Sequence, residues 1–118
     1  MAKGIILVES RPSSPEREQE YNTWYDEVHL GELVALDGFV SARRLRPVAA
    51  DGPYVAIYEI EGDDLQAILD NMLANAGQLH MSDALQLDPA PIPRLLETTT
   101  EYGGQPSSAR VGTPERTA

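Results

Sequence analysis

The pattern of apolar and polar positions along the chain predicts six regular elements. An apolar run at residues 4–9, rich in branched side chains, is typical of a strand covered on both faces. Residues 39–46 and 54–60 alternate with a period of two and flank an Asp-Gly-Pro turn, which predicts a hairpin. A last strand is predicted at residues 94–102.

Two segments have the spacing of amphipathic helices. In residues 65–76, apolar side chains recur every three or four positions, which predicts a helix with one buried face. The first helix is predicted over residues 15–29, and Gly31 is expected to break it before one more turn that ends near Leu36. Such a break would turn Glu32 outward, whereas an unbroken helix would place this carboxylate on the apolar side, in a cleft with the first helix's histidine.

The predicted order β-α-β-β-α-β is that of a ferredoxin-like α+β domain with an antiparallel sheet. Its two helices cover only one face of the sheet. Since the other face still carries large side chains on every strand, we expect a second copy of the chain to cover it and form a homodimer through the sheet face. This domain is assigned to residues 1–102, and the segment 103–118, rich in Gly, Pro and Ser, is predicted to be a disordered tail.

Composition restricts the possible partners and chemistry. A net charge of −10 argues against nucleic acid or an anionic membrane as a partner. The absence of cysteine excludes disulfides, thiolate catalysis and Cys-based metal sites. No apolar run approaches the roughly 20 residues of a membrane span, and the N-terminal apolar stretch is too short for a signal peptide. We therefore expect a cytoplasmic protein with no nucleic-acid or membrane partner.

The segment most informative about function is residues 20–29, which holds the only Trp, two of the five Tyr and one of the two His. Drawn as a helix, it has one aromatic and apolar face: Tyr21, Trp24, Tyr25 and Val28. Three polar residues follow the edge of that face: Asn22, Asp26 and His29. Aromatic bulk beside an imidazole is suited to a pocket for an apolar ligand.

His29 is the leading candidate for a catalytic residue, because imidazole can act as a general base or acid toward a phenol or an activated C–H group. Tyr25 and Asp26 lie one helical turn earlier and are expected to orient its ring. The alternative is an ordinary histidine at the edge of a helix. Trp24 is expected to lie in the core, whereas Tyr25 could belong either to the core or to a cleft.

Four further residues are candidates for substrate binding: Tyr21, Arg43, Tyr54 and Tyr58. The last two share a strand face, where their hydroxyls could line a cleft or anchor a dimer interface. Arg43 could bind a substrate carboxylate or pair with nearby acids. Two histidines without a constellation of carboxylates predict no metal site, and His80 is only a weak match for a haem ligand, so no cofactor is expected.

Two of these stretches together resemble a known family. A Tyr-Asn-x-Trp-Tyr-x-x-x-His motif at residues 21–29 and a Gly-Phe turn leading into residues 40–44 resemble the dimeric α/β-barrel superfamily, most closely its EthD-like group and that group's uncharacterised actinobacterial-type relatives. The family often has Pro two residues after the His, where this chain has Gly31. The resemblance covers residues 3–102 and implies a homodimer with a cleft between sheet and helices in each protomer.

The resemblance does not fix a reaction, since relatives include polyketide cyclases, cofactor-free monooxygenases, haem enzymes, muconolactone isomerases and proteins with no known activity. Together with the residues it favours a cofactor-free enzyme that binds an aromatic or polyketide-like compound in the cleft. His29 would move a proton there, in a cyclisation or isomerisation. The alternatives are a non-catalytic protein that binds a hydrophobic ligand and a purely structural homodimer.

Overall fold

The computed structural model describes residues 1–104 and has the predicted βαββαβ order. Its strands are β1 (Ala2–Ser10), β2 (Phe39–Leu45), β3 (Tyr54–Gly62) and β4 (Arg94–Glu97). They form one antiparallel sheet in the order β2-β3-β1-β4. This is a ferredoxin-like arrangement, so the predicted fold class is confirmed. The predicted tail at 103–118 lies almost wholly outside the described residues.

The first helix is continuous but not uniform. A 3-10 turn leads into an α-helical part, a π-helical turn and a second α-helical part: Pro15–Arg17, α1 (Glu18–Trp24), Tyr25–His29 and α2 (Leu30–Val34). The backbone stays helical at both junctions, and the carbonyl of Gly31 accepts the N–H of Ala35 at 3.2 Å. The predicted break at Gly31 was therefore wrong, because helical hydrogen bonding continues past it.

The second helix, α3 (Leu65–Ala74), packs against the same core. Its N-terminus is capped by Asp64, whose carboxylate accepts the backbone N–H of Ala67 at 3.2 Å. The helical spacing predicted a buried face that included Leu73, which is about half exposed. Four other apolar side chains of that face are buried: Leu65, Ile68, Leu69 and Met72. Within residues 1–104, no helix is both long enough and apolar enough to cross a membrane.

A bulge at the start of β2 decides which of its side chains face the helices. Between Phe39 and Ser41 the register with β3 shifts, so that Val40 is an extra residue. The bulge brings Phe39 to the same face as Arg44, toward the helices, and leaves Arg43 on the opposite face. The period of two predicted for residues 39–46 would put Phe39 and Arg43 on one face; the bulge interrupts that period and separates them.

Gly38, just before β2, has a backbone conformation that other residues rarely adopt, with a φ of 88°. A Cβ at this position would lie 2.6 Å from Cδ1 of Ile68, which is too close for two carbon atoms. The Gly-Phe turn thus serves two purposes. It reverses the chain after α2 and lets α3 approach the turn closely.

The outer face of the sheet, away from the helices, is only partly covered within residues 1–104: residues 86–92 border it beside Leu7, whereas Leu45 and Leu96 are exposed. Apolar side chains from all four strands lie on it in adjacent pairs: Ile5 and Leu96, Leu7 and Ile57, and Leu45 and Val55. Arg43 and Glu59 are on the same face, with 3.9 Å between Nη1 and Oε2. The outer face matches the expectation that led to a homodimer, and the homodimer itself stays a prediction.

Candidate functional site

The π turn determines where the aromatic residues and the histidine of the first helix point. An α-helix has 3.6 residues per turn, so a step of four residues turns slightly more than once around the axis. Over two such steps, from residue 21 to 25 to 29, the side chains of a regular α-helix would therefore rotate away from the buried face. The wider π turn reverses this drift. His29 is therefore buried together with Tyr25, at 9% and 2% exposure, whereas Val28 is only half-buried. The predicted edge position of His29 was wrong for this reason, and π turns are frequent at functional sites.

A cavity of about 220 Å³ lies beside the π turn. Three of its lining residues carry a polar side-chain group: Tyr25, His29 and Tyr58. Most of the other walls are aliphatic, among them Leu33, Met72, Leu79, Met81, Leu85 and Leu87. In the described part of the chain, no Asp, Glu, Lys or Arg contributes to the lining. Three larger hollows, of about 460, 500 and 640 Å³, include neither His29 nor Tyr58, and two of them border loops around Arg11.

Two buried polar atoms of the cavity residues lack a hydrogen-bond partner among residues 1–104: Nδ1 of His29 and the hydroxyl of Tyr58. The hydroxyls of Tyr25 and Tyr58 are near enough to affect each other's pKa, but their geometry falls short of a hydrogen bond. Leaving a buried polar group unpaired costs about 1–3 kcal/mol. Folded proteins keep few such groups, and a binding or catalytic role is a usual reason for keeping them.

Burial also sets the protonation states in the cavity. It lowers the pKa of His29 to about 4, and the nearby carboxylate of Glu32 opposes this shift only in part. The imidazole is therefore neutral at pH 7, with one nitrogen free to accept a proton. Burial likewise raises the pKa of Tyr25 and, with the further influence of Tyr25, that of Tyr58. The site thus combines a neutral base with two neutral hydroxyl groups.

Aromatic contacts fix the ring of His29. It stacks on Trp24, with 4.5 Å between ring centroids and 25° between planes, and meets Tyr25 edge to face at 4.9 Å. Trp24 lies in the core, as predicted, and its Nε1 donates a hydrogen bond of 2.7 Å to the carbonyl of His80. A base held by rigid neighbours keeps its orientation toward a ligand.

A second polar cluster, on the other side of the aromatic residues, is built around Arg44. Its guanidinium lies 4.4 to 5.2 Å from the centroids of three tyrosine rings: Tyr21, Tyr25 and Tyr54. Nη1 donates to Asp26 at 2.8 Å and Nη2 donates to Asn22 at 2.9 Å. Only 10% of the Arg44 side chain is exposed. This residue therefore holds the aromatic cluster together through cation–π contacts and charged hydrogen bonds.

The predicted catalytic residues are only partly brought together. Tyr25 and His29 line the cavity, joined there by Tyr58 from the substrate-binding candidates. Asp26 is exposed and bonds to Arg44 instead of orienting His29. In a regular helix, residues three apart share a side, but the π turn between Asp26 and His29 rotates them apart.

The other substrate-binding candidates lie away from the cavity. Tyr21 is fully buried, and its hydroxyl shares a 2.7 Å hydrogen bond with Ser10. The hydroxyl of Tyr54 bonds to Glu18 and Asn22 and borders one of the larger hollows. Arg43 lies on the outer face of the sheet. The geometry therefore gives these three residues no contact with a ligand in the cavity.

Sequence reasoning missed two contributors, Arg44 and the contact between Glu32 and His80. Residues 79–93, here called the covering segment, supply much of one wall of the cavity. The Glu32 carboxylate accepts the backbone N–H of His80 at 3.0 Å and pairs with Nδ1 of the same residue. Neither alternative considered for Glu32 was right, because the carboxylate is occupied by His80. Among residues 1–104, no three side chains of metal-binding type come together.

Comparison with known proteins adds a relationship of fold. No protein-family model and no curated protein sequence matches the chain. Among solved structures, the fold is similar to that of a candidate monooxygenase from Shewanella loihica PV-4, with a TM-score of 0.53 and 16% sequence identity. The match covers 86% of this chain and 99% of that one. It supports the protomer fold expected from the dimeric α/β-barrel resemblance, whereas membership of the EthD-like group stays a prediction.

Proposed function

We propose that this chain is an enzyme that binds a small, uncharged, apolar compound in the cavity and moves a proton with His29, without a bound cofactor. One observation carries the proposal: Nδ1 of His29 and the hydroxyl of Tyr58 are buried without a partner, and both residues line a mainly apolar cavity. A solved structure of similar fold is that of a candidate monooxygenase, so this fold is compatible with an enzyme.

The cavity restricts the ligand by polarity and size. A carboxylate or phosphate would be buried there without a counter-ion, which is strongly unfavourable. A volume of about 220 Å³ suits a compound of one or two rings. A larger polyketide-like compound would have to extend past the rim, where three lining side chains are about half exposed: Leu73, Met81 and Leu87. The supported ligand class is therefore a neutral aromatic or alicyclic compound with a carbonyl or hydroxyl group.

The two polar groups suit complementary roles in proton transfer. Neutral His29 accepts a proton from a C–H group next to a carbonyl, while the Tyr58 hydroxyl donates a hydrogen bond to the carbonyl oxygen as negative charge develops there. The imidazolium then returns the proton to another atom of the same ligand, which isomerises it or completes a ring closure. Burial disfavours the imidazolium, so it makes the first transfer harder and the return of the proton more favourable.

Exchange of the α-protons of 2-tetralone in deuterated buffer tests this chemistry, because the compound is neutral, has two rings and carries acidic protons next to a carbonyl. We expect the protein to accelerate exchange, as followed by NMR. His29→Gln should abolish the acceleration, and Tyr58→Phe should reduce it about tenfold or more. Tyr54→Phe is the matched control, since this hydroxyl is on the same strand face but away from the cavity.

Two outcomes would count against the proposal. Equal exchange rates in the wild-type protein and His29→Gln would remove the histidine from the reaction. A thermal shift with 2-tetralone but no exchange would favour the alternative of a non-catalytic protein that binds a hydrophobic ligand. Circular dichroism and unfolding curves of each variant show whether it is folded.

We also propose that a second copy of the chain covers the outer face of the sheet. Contiguous apolar surface of this kind is uncommon on monomeric proteins and marks interaction sites. Ile57→Lys, at the centre of the apolar pairs, should convert a dimer into a monomer in analytical ultracentrifugation. A wild-type chain that sediments as a monomer at micromolar concentration would contradict the proposal.

A further inference from the structure

The covering segment is fastened to the first helix at one residue, His80. Its backbone N–H is bound by the Glu32 carboxylate at 3.0 Å, and its backbone carbonyl accepts a hydrogen bond from Nε1 of Trp24 at 2.7 Å. The imidazole Nδ1 of His80 also pairs with Glu32. Two residues of a single helix therefore bind both the main chain and the side chain of His80.

These contacts reach the cavity from two directions. Leu79 and Met81, the residues on either side of His80, both line the cavity. Trp24, which bonds to the carbonyl of His80, is also the ring on which His29 stacks. His80 is thus connected both to a wall of the cavity and, through Trp24, to the ring of His29.

The other anchors of the covering segment lie further along the chain. The carbonyl of Ala84 accepts the N–H of Ser13 at 2.6 Å, and the N–H of Gln86 donates to the carbonyl of Arg11 at 2.9 Å. An exposed ion pair of 2.7 Å joins Asp83 to Arg17. At the start of the segment Leu79 packs against the core and its N–H bonds to the carbonyl of Ala76 at 3.3 Å. The hydrogen bonds between this stretch and the first helix are those of His80.

We propose that Glu32 is a positioning residue that latches the covering segment: by binding His80 it holds in place the cavity wall formed by Leu79 and Met81 and, through Trp24, the ring of His29. When this contact breaks, the mouth of the cavity widens and a ligand enters and leaves faster. The inference rests on the proposed function in taking this cavity as the ligand site. Glu32 contacts neither the ligand nor the reacting atoms, and its negative charge in addition raises the pKa of His29 against the effect of burial.

Glu32→Ala removes the latch, and Glu20→Ala is the matched control, because Glu20 is on the same helix and pairs with a cation at the surface. In Glu32→Ala we expect the backbone amide of His80 to exchange with solvent about tenfold faster or more, as measured by NMR. Association and dissociation rate constants of 2-naphthol, a neutral fluorescent probe, should both rise by about threefold or more. Glu20→Ala should leave both measurements unchanged.

Glu32→Gln separates the hydrogen bond from the charge. Its amide oxygen can still accept the N–H of His80, so amide protection should be largely restored. The pKa of His29, followed through its ring signals in NMR, should fall in both variants because both lose the carboxylate. A purely structural role of Glu32 would not lower the pKa of His29 in a variant that keeps the hydrogen bond.

The latch and the proposed function can fail separately. Unchanged exchange at the His80 amide in Glu32→Ala would overturn the latch, whatever the protein does to a ligand. Faster amide exchange and faster 2-naphthol binding, together with no exchange of 2-tetralone by the wild-type protein, would support the latch and overturn the catalytic proposal. Failure of 2-naphthol to bind would count against the cavity as a ligand site. The latch would still be tested by exchange of the His80 amide and by the ring signals of His29, because neither measurement needs a ligand.

Discussion

The two sides of the aromatic cluster on the first helix differ in how completely their polar atoms are bonded. On one side, Arg44 contacts three tyrosine rings and both of its terminal nitrogens are bonded, to Asp26 and Asn22, although its Nε has no partner within residues 1–104. On the cavity side, Nδ1 of His29 and the Tyr58 hydroxyl have no partner within the described residues. Tyrosines occur on both sides, so residue type alone does not distinguish a structural role from a binding role. The cavity does, because the unpartnered atoms of His29 and Tyr58 belong to residues that line it, whereas Arg44 is not among its lining residues.

The largest effect is expected from breaking the bonded side. Arg44→Met should lower the free energy of unfolding by about 3 kcal/mol, because it removes partly desolvated cation–π contacts and charged hydrogen bonds from a side chain that is only 10% exposed. Urea denaturation at pH 7 measures the change.

Arg17→Met is the matched control for Arg44→Met. Arg17 also bonds to two carboxylates, those of Glu20 and Asp83, but it does so at the surface. Exposed ion pairs contribute little to stability, so the loss should be much smaller. If both variants lost the same free energy of unfolding, the burial of Arg44 over the tyrosine rings would add nothing to stability beyond a surface ion pair.

The sequence was sufficient for the fold because alternation and helical spacing are local signals of burial. The alternation in β3 and the spacing in α3 each matched the observed buried face. The π turn and the β2 bulge each insert one residue into a regular repeat, and no composition or spacing marks them. These two insertions account for the misplaced edge position of His29 and for the choice of Arg43 where the structure uses Arg44.

On the cavity side, His29 should make the free energy of unfolding depend on pH. His29 has a pKa of about 4 in the folded chain, below its ordinary value of 6.5. Between these values the unfolded chain binds more protons, so the contribution of His29 is complete above about pH 6.5 and declines as the pH falls toward 4. This amounts to a loss of about 2 kcal/mol between pH 7 and pH 5, measured by urea denaturation across that range.

His29→Gln should flatten this dependence, and the difference between variant and wild type isolates the contribution of His29. His80 contributes with the opposite sign, because Glu32 raises its pKa and its stabilisation is lost as the pH rises through that raised value. The pKa of Glu32 is lowered from 4.5, so its own contribution declines only below the measured range. An unchanged slope in His29→Gln would mean that the imidazole is not held neutral by burial.

The smallest effects, opposite in sign, are expected from removing one hydroxyl on each side. Tyr58→Phe should raise the free energy of unfolding by about 0.5–1 kcal/mol, because it removes a buried hydroxyl that has no partner. Tyr21→Phe should lower it by about 1 kcal/mol, because it breaks the 2.7 Å bond to Ser10 and leaves that buried hydroxyl unpaired. Urea denaturation of both variants under one condition gives the comparison. If Tyr58→Phe lost as much stability as Tyr21→Phe, the Tyr58 hydroxyl would already be bonded in the folded chain, and the distinction between a bonded side and a side kept open for a ligand would fail.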